Sequence, residues 1–252
     1  MQCYKISYFL GIINNLNEKN ILKRLVMKTI AMIVAAGRGV RAGSNLPKQY
    51  ELHNKTRMLS FTINALLKSS RVDALIVVIN PLDINLYEDS VKDIEDTRIL
   101  KYCFGGSERT QSVQKGLKAI EKYAPKNVLI HDGARPFIPL DLTNRIIDSL
   151  NSSQAVLPVL PIVDAIWEID STNSEQSFNP GPNRDKLLLA QTPQGFNYQT
   201  ICSAYEHSDE QALDDIAIVH RFGVKISTVA GDPRNKKITS QNDLKIFKGK
   251  KT

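Results

Sequence analysis

Cysteine is scarce in this chain. Cys3, Cys103 and Cys202 are odd in number and far apart among 252 residues, which excludes a disulfide-stapled scaffold and the paired spacing of a zinc site. A reducing cytoplasm is the compartment such usage implies. Long apolar runs are missing too. The stretch Tyr8-Phe9-Leu10-Gly11-Ile12-Ile13 is too short to span a bilayer and no small-residue cleavage site follows it, so no membrane association is expected. Aromatics make up 7% of residues and do not interleave with a basic stripe, so the formal charge of +7 does not point to nucleic acid. Much of that excess sits at the ends, in Lys23, Arg24 and Lys28 and in four lysines within residues 245–252. His53, His207 and His220 lack the spacing of a metal site or a catalytic triad.

What is present is the composition of a folded globular chain, 42% apolar and 23% charged. This length suffices for one large α/β domain that buries roughly three-quarters of its unfolded surface. Met27 directly precedes the first convincing strand. Residues 1–26 therefore read as an N-terminal extension, with Met27 as an alternative start, and 27–252 as a single domain.

The apolar run Ile30-Ala31-Met32-Ile33-Val34 leads into Ala35-Ala36-Gly37-Arg38-Gly39-Val40-Arg41 and then Pro47-Lys48-Gln49. Gly37 and Gly39 let the main chain approach a ligand and take positive φ, and successive N–H groups can form an anion-binding concavity. Arg41 and Lys48 add fixed positive charge. The loop is neither a P-loop nor a dinucleotide fingerprint, and by itself it is also an ordinary turn. Downstream, helical spacing over 57–69, a buried strand over Ala74–Ile79, a helix over Asn85–Ile94, a strand over Ile99–Phe104, a helix over Arg109–Tyr123 and the strand Val128-Leu129-Ile130 repeat the βαβ pattern. The expected fold is Rossmann-like α/β, a doubly wound, mainly parallel sheet. Ligands bind such sheets beyond the carboxyl ends of the strands, where Gly37, Gly105 and Asp132 fall.

From Ala155 the pattern changes. Short strands over Ala155–Val159, Ala165–Ile169 and Leu187–Ala190, separated by the polar stretch Asp170 to Asp185, predict a protruding β-arm over about residues 160–192. An uncovered arm is a liability that the same arm of a second copy would cover, so a homodimer is expected. Helices over Tyr198–Tyr205, near Asp214–Phe222 and from Ser240, with a strand over Lys225–Val229, complete the reading.

Four further segments carry chemistry. Gly105-Gly106-Ser107-Glu108-Arg109-Thr110-Gln111-Ser112 opens a helix and reads either as a grip on a base or phosphate or as a helix cap. In His131-Asp132-Gly133-Ala134-Arg135-Pro136, an Asp where a buried strand ends suits Mg²⁺ beside phosphate oxygens, with Arg135 as an oxyanion clamp; capping and surface pairing are the alternative. Asn183-Arg184 and Gln191-Thr192-Pro193-Gln194 offer a guanidinium and a hydroxyl for a second phosphate. Gly231 to Thr239 places lysines opposite the first loop. Asp214-Asp215 is as easily a helix N-terminal pair as a second catalytic carboxylate.

Taken together and in order, Ala35 to Arg41, Pro47-Lys48-Gln49-Tyr50, Gly105 to Arg109, His131 to Pro136, Thr192-Pro193-Gln194 and Lys237-Ile238-Thr239 resemble the 2-C-methyl-D-erythritol 4-phosphate cytidylyltransferase family. The resemblance runs from about Met27 to the C-terminus. It implies transfer of the cytidylyl group of CTP to methylerythritol 4-phosphate with release of pyrophosphate. It also implies Arg41, Lys48 and Lys237 as catalytic cations and Asp132 as the Mg²⁺ ligand. Ala35, Ala36, Gly37, Gly39, Gly106, Ser107, Ser112, Asp132 and Gly133 would form the nucleotide site, cytosine lying near Ala35, Gly106 and Ser112. Arg135, Arg184 and Thr192 would hold the methylerythritol phosphate, Arg184 and Thr192 projecting from the arm of a dimer.

Three positions depart from the family pattern: Ser107 in place of Asp, Ala165 after Asp164 in place of Thr, and Ile216 after Asp215 in place of Glu. Many relatives carry a fused C-terminal domain for a later step, whereas this chain ends soon after Thr239, so that activity is expected in a separate protein or a missing segment. A cytidylyltransferase for ribitol 5-phosphate is the alternative reading, and a non-catalytic nucleotide-binding protein a more distant one.

Overall fold

Branched and aliphatic runs pair side by side in the computed structural model of the chain, which describes residues 27–38, 46–170, 177–208, 212 and 214–249. The extension over 1–26 with Cys3, and the loop residues Gly39 and Arg41, lie outside the described residues. The strands are β1 (Thr29–Ala35), β2 (Leu52–His53), β3 (Thr56–Arg57), β4 (Ala74–Ile79), β5 (Cys103–Phe104), β6 (Asn127–Asp132), β7 (Ala155–Pro161), β8 (Trp167–Asp170), β9 (Ser177–Pro180), β10 (Leu188–Ala190), β11 (Gln194–Asn197) and β12 (Ile226–Ala230). The helices are α1 (Met58–Leu67), α2 (Ile84–Val91), α3 (Arg109–Ile120), α4 (Leu140–Ser149), α5 (Tyr198–Glu206), α6 (Asp215–Arg221) and α7 (Gln241–Phe247).

Strands β4 and β6 are buried along their whole length and β1 nearly so, as strands covered on both faces must be. β1 pairs in parallel with β4 and β6, and β4 in parallel with β5. The registers Val34↔Asp132, Ala35↔Ile79 and Ile79↔Phe104 bring the carboxyl ends of all four to one edge. β11 runs antiparallel between β6 and β7, and β12 lies parallel on the far side of β7. Val159 pairs with Ala190 as well as Ala230, and Val156 with Gly195 as well as Ser227. β10 therefore continues the line of β11 along β7, with Gln191-Thr192-Pro193 between them.

Side chains alternate across the sheet as strand geometry requires. Ala31, Ile33 and Ala35 join α1 and α4 in one core, while Ile30 and Met32 join α3, α5 and α6 in the other. α4 packs close over β11, because a Cβ on Gly195 would stand 2.5 Å from Ile146 Cγ2.

The mainly parallel doubly wound sheet is as expected from the alternation of runs. The sequence reading has no counterpart for α4 or for the antiparallel β11. The strand expected over Ile99–Phe104 is confined to Cys103–Phe104, with one isolated bridge between Ile99 and Leu75. In the arm, the strand expected over Ala165–Ile169 begins at Trp167 and pairs with β9, which lies inside the stretch read as polar turn. The pairs Ile169↔Phe178 and Trp167↔Pro180 carry the hairpin. Among the described residues, no helix is long and apolar enough to cross a membrane.

Candidate active site

A cleft of about 290 Å³ opens at the carboxyl edge of β1, β5 and β6, lined by Val34–Gly37, Lys48, Gln49, Gly106–Arg109, Ser112, Asp132–Ala134 and Lys237. Gln49 builds its first wall. The buried amide donates from Nε2 to the carbonyls of Ala35 (2.7 Å) and Gly37 (2.8 Å), tying Lys48 to the loop after β1. Gly37 does not adopt the positive φ expected for it. A Cβ there would meet nothing within 4 Å, so the missing side chain leaves room in the cleft and the turn itself does not require glycine. Arg38 pairs with buried Asp83 at 3.3 Å.

The second wall rests on a close approach. A Cβ on Gly105 would lie 2.5 Å from Ala36 Cβ and 2.6 Å from Ser112 Oγ, so only glycine lets the turn before α3 abut the loop after β1. That turn closes on itself: Gly106 N–H donates to Ser112 Oγ (3.1 Å), and Ser107 N–H and Oγ donate to Gln111 Oε1 (3.1 and 2.9 Å). The N–H groups of Gly106 and Ser107, which precede the helix, thus have intramolecular acceptors. Glu108, the N-cap of α3, makes no side-chain capping bond.

Asp132 ends β6 at the floor, and three cations converge on it. Lys237 Nζ stands 2.9 Å and Arg135 Nε 3.3 Å from Oδ2, while Arg109 Nε stands 3.9 Å from Oδ1. Burial alone would raise the carboxyl's pKa, but the pull of Lys237, Arg109 and Arg135 outweighs it and holds the group far below the usual carboxylate range. Lys237 is delivered by the turn after β12. Ile238 N–H donates to Ala134 O (2.8 Å), and the buried Asn235 amide donates to Thr192 O (2.7 Å). Gln191 straps the same turn by paired bonds with the backbone of Asp232, and Arg135 Nη1 donates to Asn235 O.

His131 and Thr192 form the buried support of Asp132. His131 Nε2 lies 3.1 Å from Arg135 O and Nδ1 2.9 Å from Thr192 Oγ1. A carbonyl only accepts, so Nε2 carries the proton and the Thr192 hydroxyl donates to Nδ1. The same Oγ1 accepts Asp132 N–H at 3.2 Å. In this arrangement the hydroxyl read from the sequence as a phosphate ligand has already committed its hydrogen. Burial keeps His131 neutral by lowering its pKa to about 4.

Arg109 and Asp215 carry more of the site than sequence reasoning gave them. Asp215 is fully buried and takes both Arg109 nitrogens, Nη1 at 2.8 Å and Nη2 at 2.6 Å, and the Tyr205 hydroxyl at 2.5 Å. Asp214 is the helix cap that was one of the two readings of this pair, accepting from Ala217 N–H. The partners are 106 positions apart, so no local spacing links them. Arg184 lies elsewhere, exposed on the arm and bonded to Val163 O, outside the cleft of its own chain.

The sequence model of the IspD family, 2-C-methyl-D-erythritol 4-phosphate cytidylyltransferase, matches residues 29–248. This chain belongs to that family. A bifunctional enzyme IspD/IspF of Bartonella henselae is 37% identical over 224 residues, covering 86% of this chain and 55% of the relative; one of Bartonella tribocorum is 39% identical over 220 residues, covering 85% and 54%. The chain therefore spans about half the length of these curated relatives. A solved 4-diphosphocytidyl-2C-methyl-D-erythritol synthase of Anaerococcus prevotii superposes with a TM-score of 0.74 at 29% identity, covering 88% of this chain and 97% of that one. As a member of the IspD family, the chain has a mixed sheet and flanking helices that match those of its solved relatives.

Proposed function

We propose that the chain transfers the cytidylyl group of CTP to 2-C-methyl-D-erythritol 4-phosphate, forming 4-CDP-2-C-methyl-D-erythritol and pyrophosphate. The observation that carries this reading is Asp132, anionic at a parallel strand end and ringed by Lys237, Arg135 and Arg109 in a cleft that also holds Lys48. The attacking group is the polyol phosphate, already ionised at neutral pH, so no general base is required. One of its oxygens forms the new bond to the α-phosphorus while the bond to the β-phosphate bridging oxygen breaks. Catalysis then consists of holding the two phosphates in line and neutralising their crowded charge. Lys48 and Lys237 approach the triphosphate from opposite walls, Arg41 adds a third charge from the same loop as Gly37 and Gly39, and Arg109 flanks it. Ala35, Ala36, Gly106, Ser107, Ser112 and Gly133 enclose the nucleotide.

Asp132 suits Mg²⁺. Its Oδ2 is engaged by Lys237 and Arg135, whereas Oδ1 has only the longer approach of Arg109, leaving one hard oxygen for an ion whose other ligands are phosphate oxygens and water. Among the described residues no group of three or more His, Cys, Asp or Glu could hold a metal, in keeping with an ion that arrives with the nucleotide. When bound, it neutralises phosphate charge.

Arg135 is the clamp for the polyol phosphate, and Thr192 acts through its bonds to His131 and Asp132 N–H. Arg184 serves a partner's cleft in a homodimer. The support is the arm's uncovered apolar surface, with Val163 74%, Trp167 61%, Ile169 68% and Phe178 56% exposed, more than an arm leaves to water. A cytoplasmic place fits the free Cys103 and Cys202 and the CTP supply. The reading is tested by pyrophosphate release from CTP and Mg²⁺ with either methylerythritol 4-phosphate or ribitol 5-phosphate. Turnover with the first at least about a hundredfold faster is expected; preference for the second would reassign the substrate, and release with neither would remove the activity.

A further inference from the structure

Resting on the reading of the cleft as the CTP site, we propose that Tyr205 is a positioning residue for the nucleotide. Through Asp215 its hydroxyl fixes the Arg109 guanidinium at the rim of the cleft. Arg109 has five N–H donors in a plane. Two are held by the Asp215 oxygens at 2.8 and 2.6 Å, and its Nε side faces Asp132 and the cleft it lines. The direction in which the remaining donors point is therefore set by where Asp215 stands.

Asp215 is itself over-determined. It opens α6, whose first turn is fixed by Gln194: Oε1 accepts Ile216 N–H at 3.1 Å, and Nε2 donates to Asp214 Oδ2 at 2.9 Å. Ile216, which departs from the family pattern, is buried in the core and takes part through its backbone. What remains free is rotation of the carboxylate about its own axis. Tyr205, reaching across from α5 at 2.5 Å, pins Oδ1. The bond also draws charge from the carboxylate, so that Arg109 is less completely neutralised and keeps more of its field for a phosphate.

Tyr198 supplies a matched control. It lies on the same helix, is equally buried, and donates its hydroxyl to Leu117 O at 2.9 Å, without contact to Asp215. Tyr205→Phe and Tyr198→Phe each remove one buried hydroxyl while the ring stays packed, Tyr198 giving up its bonds with Leu117 O and the Cys202 thiol. Tyr205→Phe is expected to raise KM for CTP about tenfold and to weaken CTP binding by calorimetry alike, with KM for methylerythritol 4-phosphate unchanged. Tyr198→Phe is expected to leave both KM values in place. In an Arg109→Lys background, Tyr205→Phe is expected to add nothing.

An unchanged KM for CTP in Tyr205→Phe overturns the proposal, and so does an equal rise in both tyrosine variants or an undiminished effect without Arg109. Asp215→Glu, which keeps the charge pair but moves the guanidinium, repeats the test should Tyr205→Phe not fold; wild-type KM for CTP there overturns the proposal equally. Wild-type protein that binds no CTP fails at the earlier step and removes the CTP-site reading together with this inference, whereas wild-type binding with unmoved variants removes the positioning role alone.

Discussion

Lys48 and His131 separate the two kinds of work residues do in this cleft. Lys48 lines it from a short turn, so Lys48→Ala is expected to lower kcat by about a hundredfold or more. Its melting temperature should stay within about 3 °C of wild type, since the lysine is no part of the core. Steady-state kinetics and a thermal scan check the two halves separately. His131 is the reverse case, buried, neutral and structural. Unfolded chain takes up its proton near pH 6.5, whereas the folded chain resists protonation until about pH 4. Between those values acidification favours unfolding, so the contribution is whole above pH 6.5 and is lost as pH falls toward 4. It amounts to about 3 kcal/mol. Urea midpoints at pH 7.5 and 5.0 read the part already lost by pH 5, about 2 kcal/mol, and His131→Gln should flatten the difference. Asp132, with its depressed pKa, titrates below this window and does not confound it. Asp132 was legible in the sequence because it ends a strand built on the apolar run Val128-Leu129-Ile130. The engagement of Arg109 was not, because its partners Asp215 and Tyr205 come from distant segments, and neither was the bond from Thr192 to His131 that a hydroxyl's identity alone does not reveal.

At the scale of elements, the site exists because four parallel strands end level with one another. β1, β4 and β6 announce themselves as branched aliphatic runs, and the helices between them by their spacing, so the frame was readable in advance. β11 was not: Gln194-Gly195-Phe196-Asn197 is short, contains a glycine, and has neither alternation nor an apolar run. Its strand character comes from pairing with β6 on one side and β7 on the other. The glycine also has a packing reason. Gly195→Ala would set a Cβ 2.5 Å from the branched Ile146 Cγ2 and 3.0 Å from Leu150 Cδ1, and Ile146, fully buried, has little room to yield. A loss of about 1–3 kcal/mol is expected by urea titration. Because Thr192 and Gln194 lie directly before this point, the same variant should also slow turnover.

For the whole molecule, the arm carries the consequence. Its exposed Val163, Trp167, Ile169 and Phe178 predict a copy-to-copy contact, and Arg184 lies on the same arm, away from its own cleft. Trp167→Glu is expected to shift the protein to monomer in sedimentation equilibrium and to lower turnover along with it; a dimer that persists with full activity would separate the arm from assembly. The central claim is that the charges gathered around Asp132 drive cytidylyl transfer. It is tested most directly by pyrophosphate release from CTP and methylerythritol 4-phosphate, saturating both, in wild type and in Lys237→Ala. Brisk release by wild type and a fall of about a hundredfold in the folded variant are expected. Equal rates in the two, or none in wild type, would contradict it.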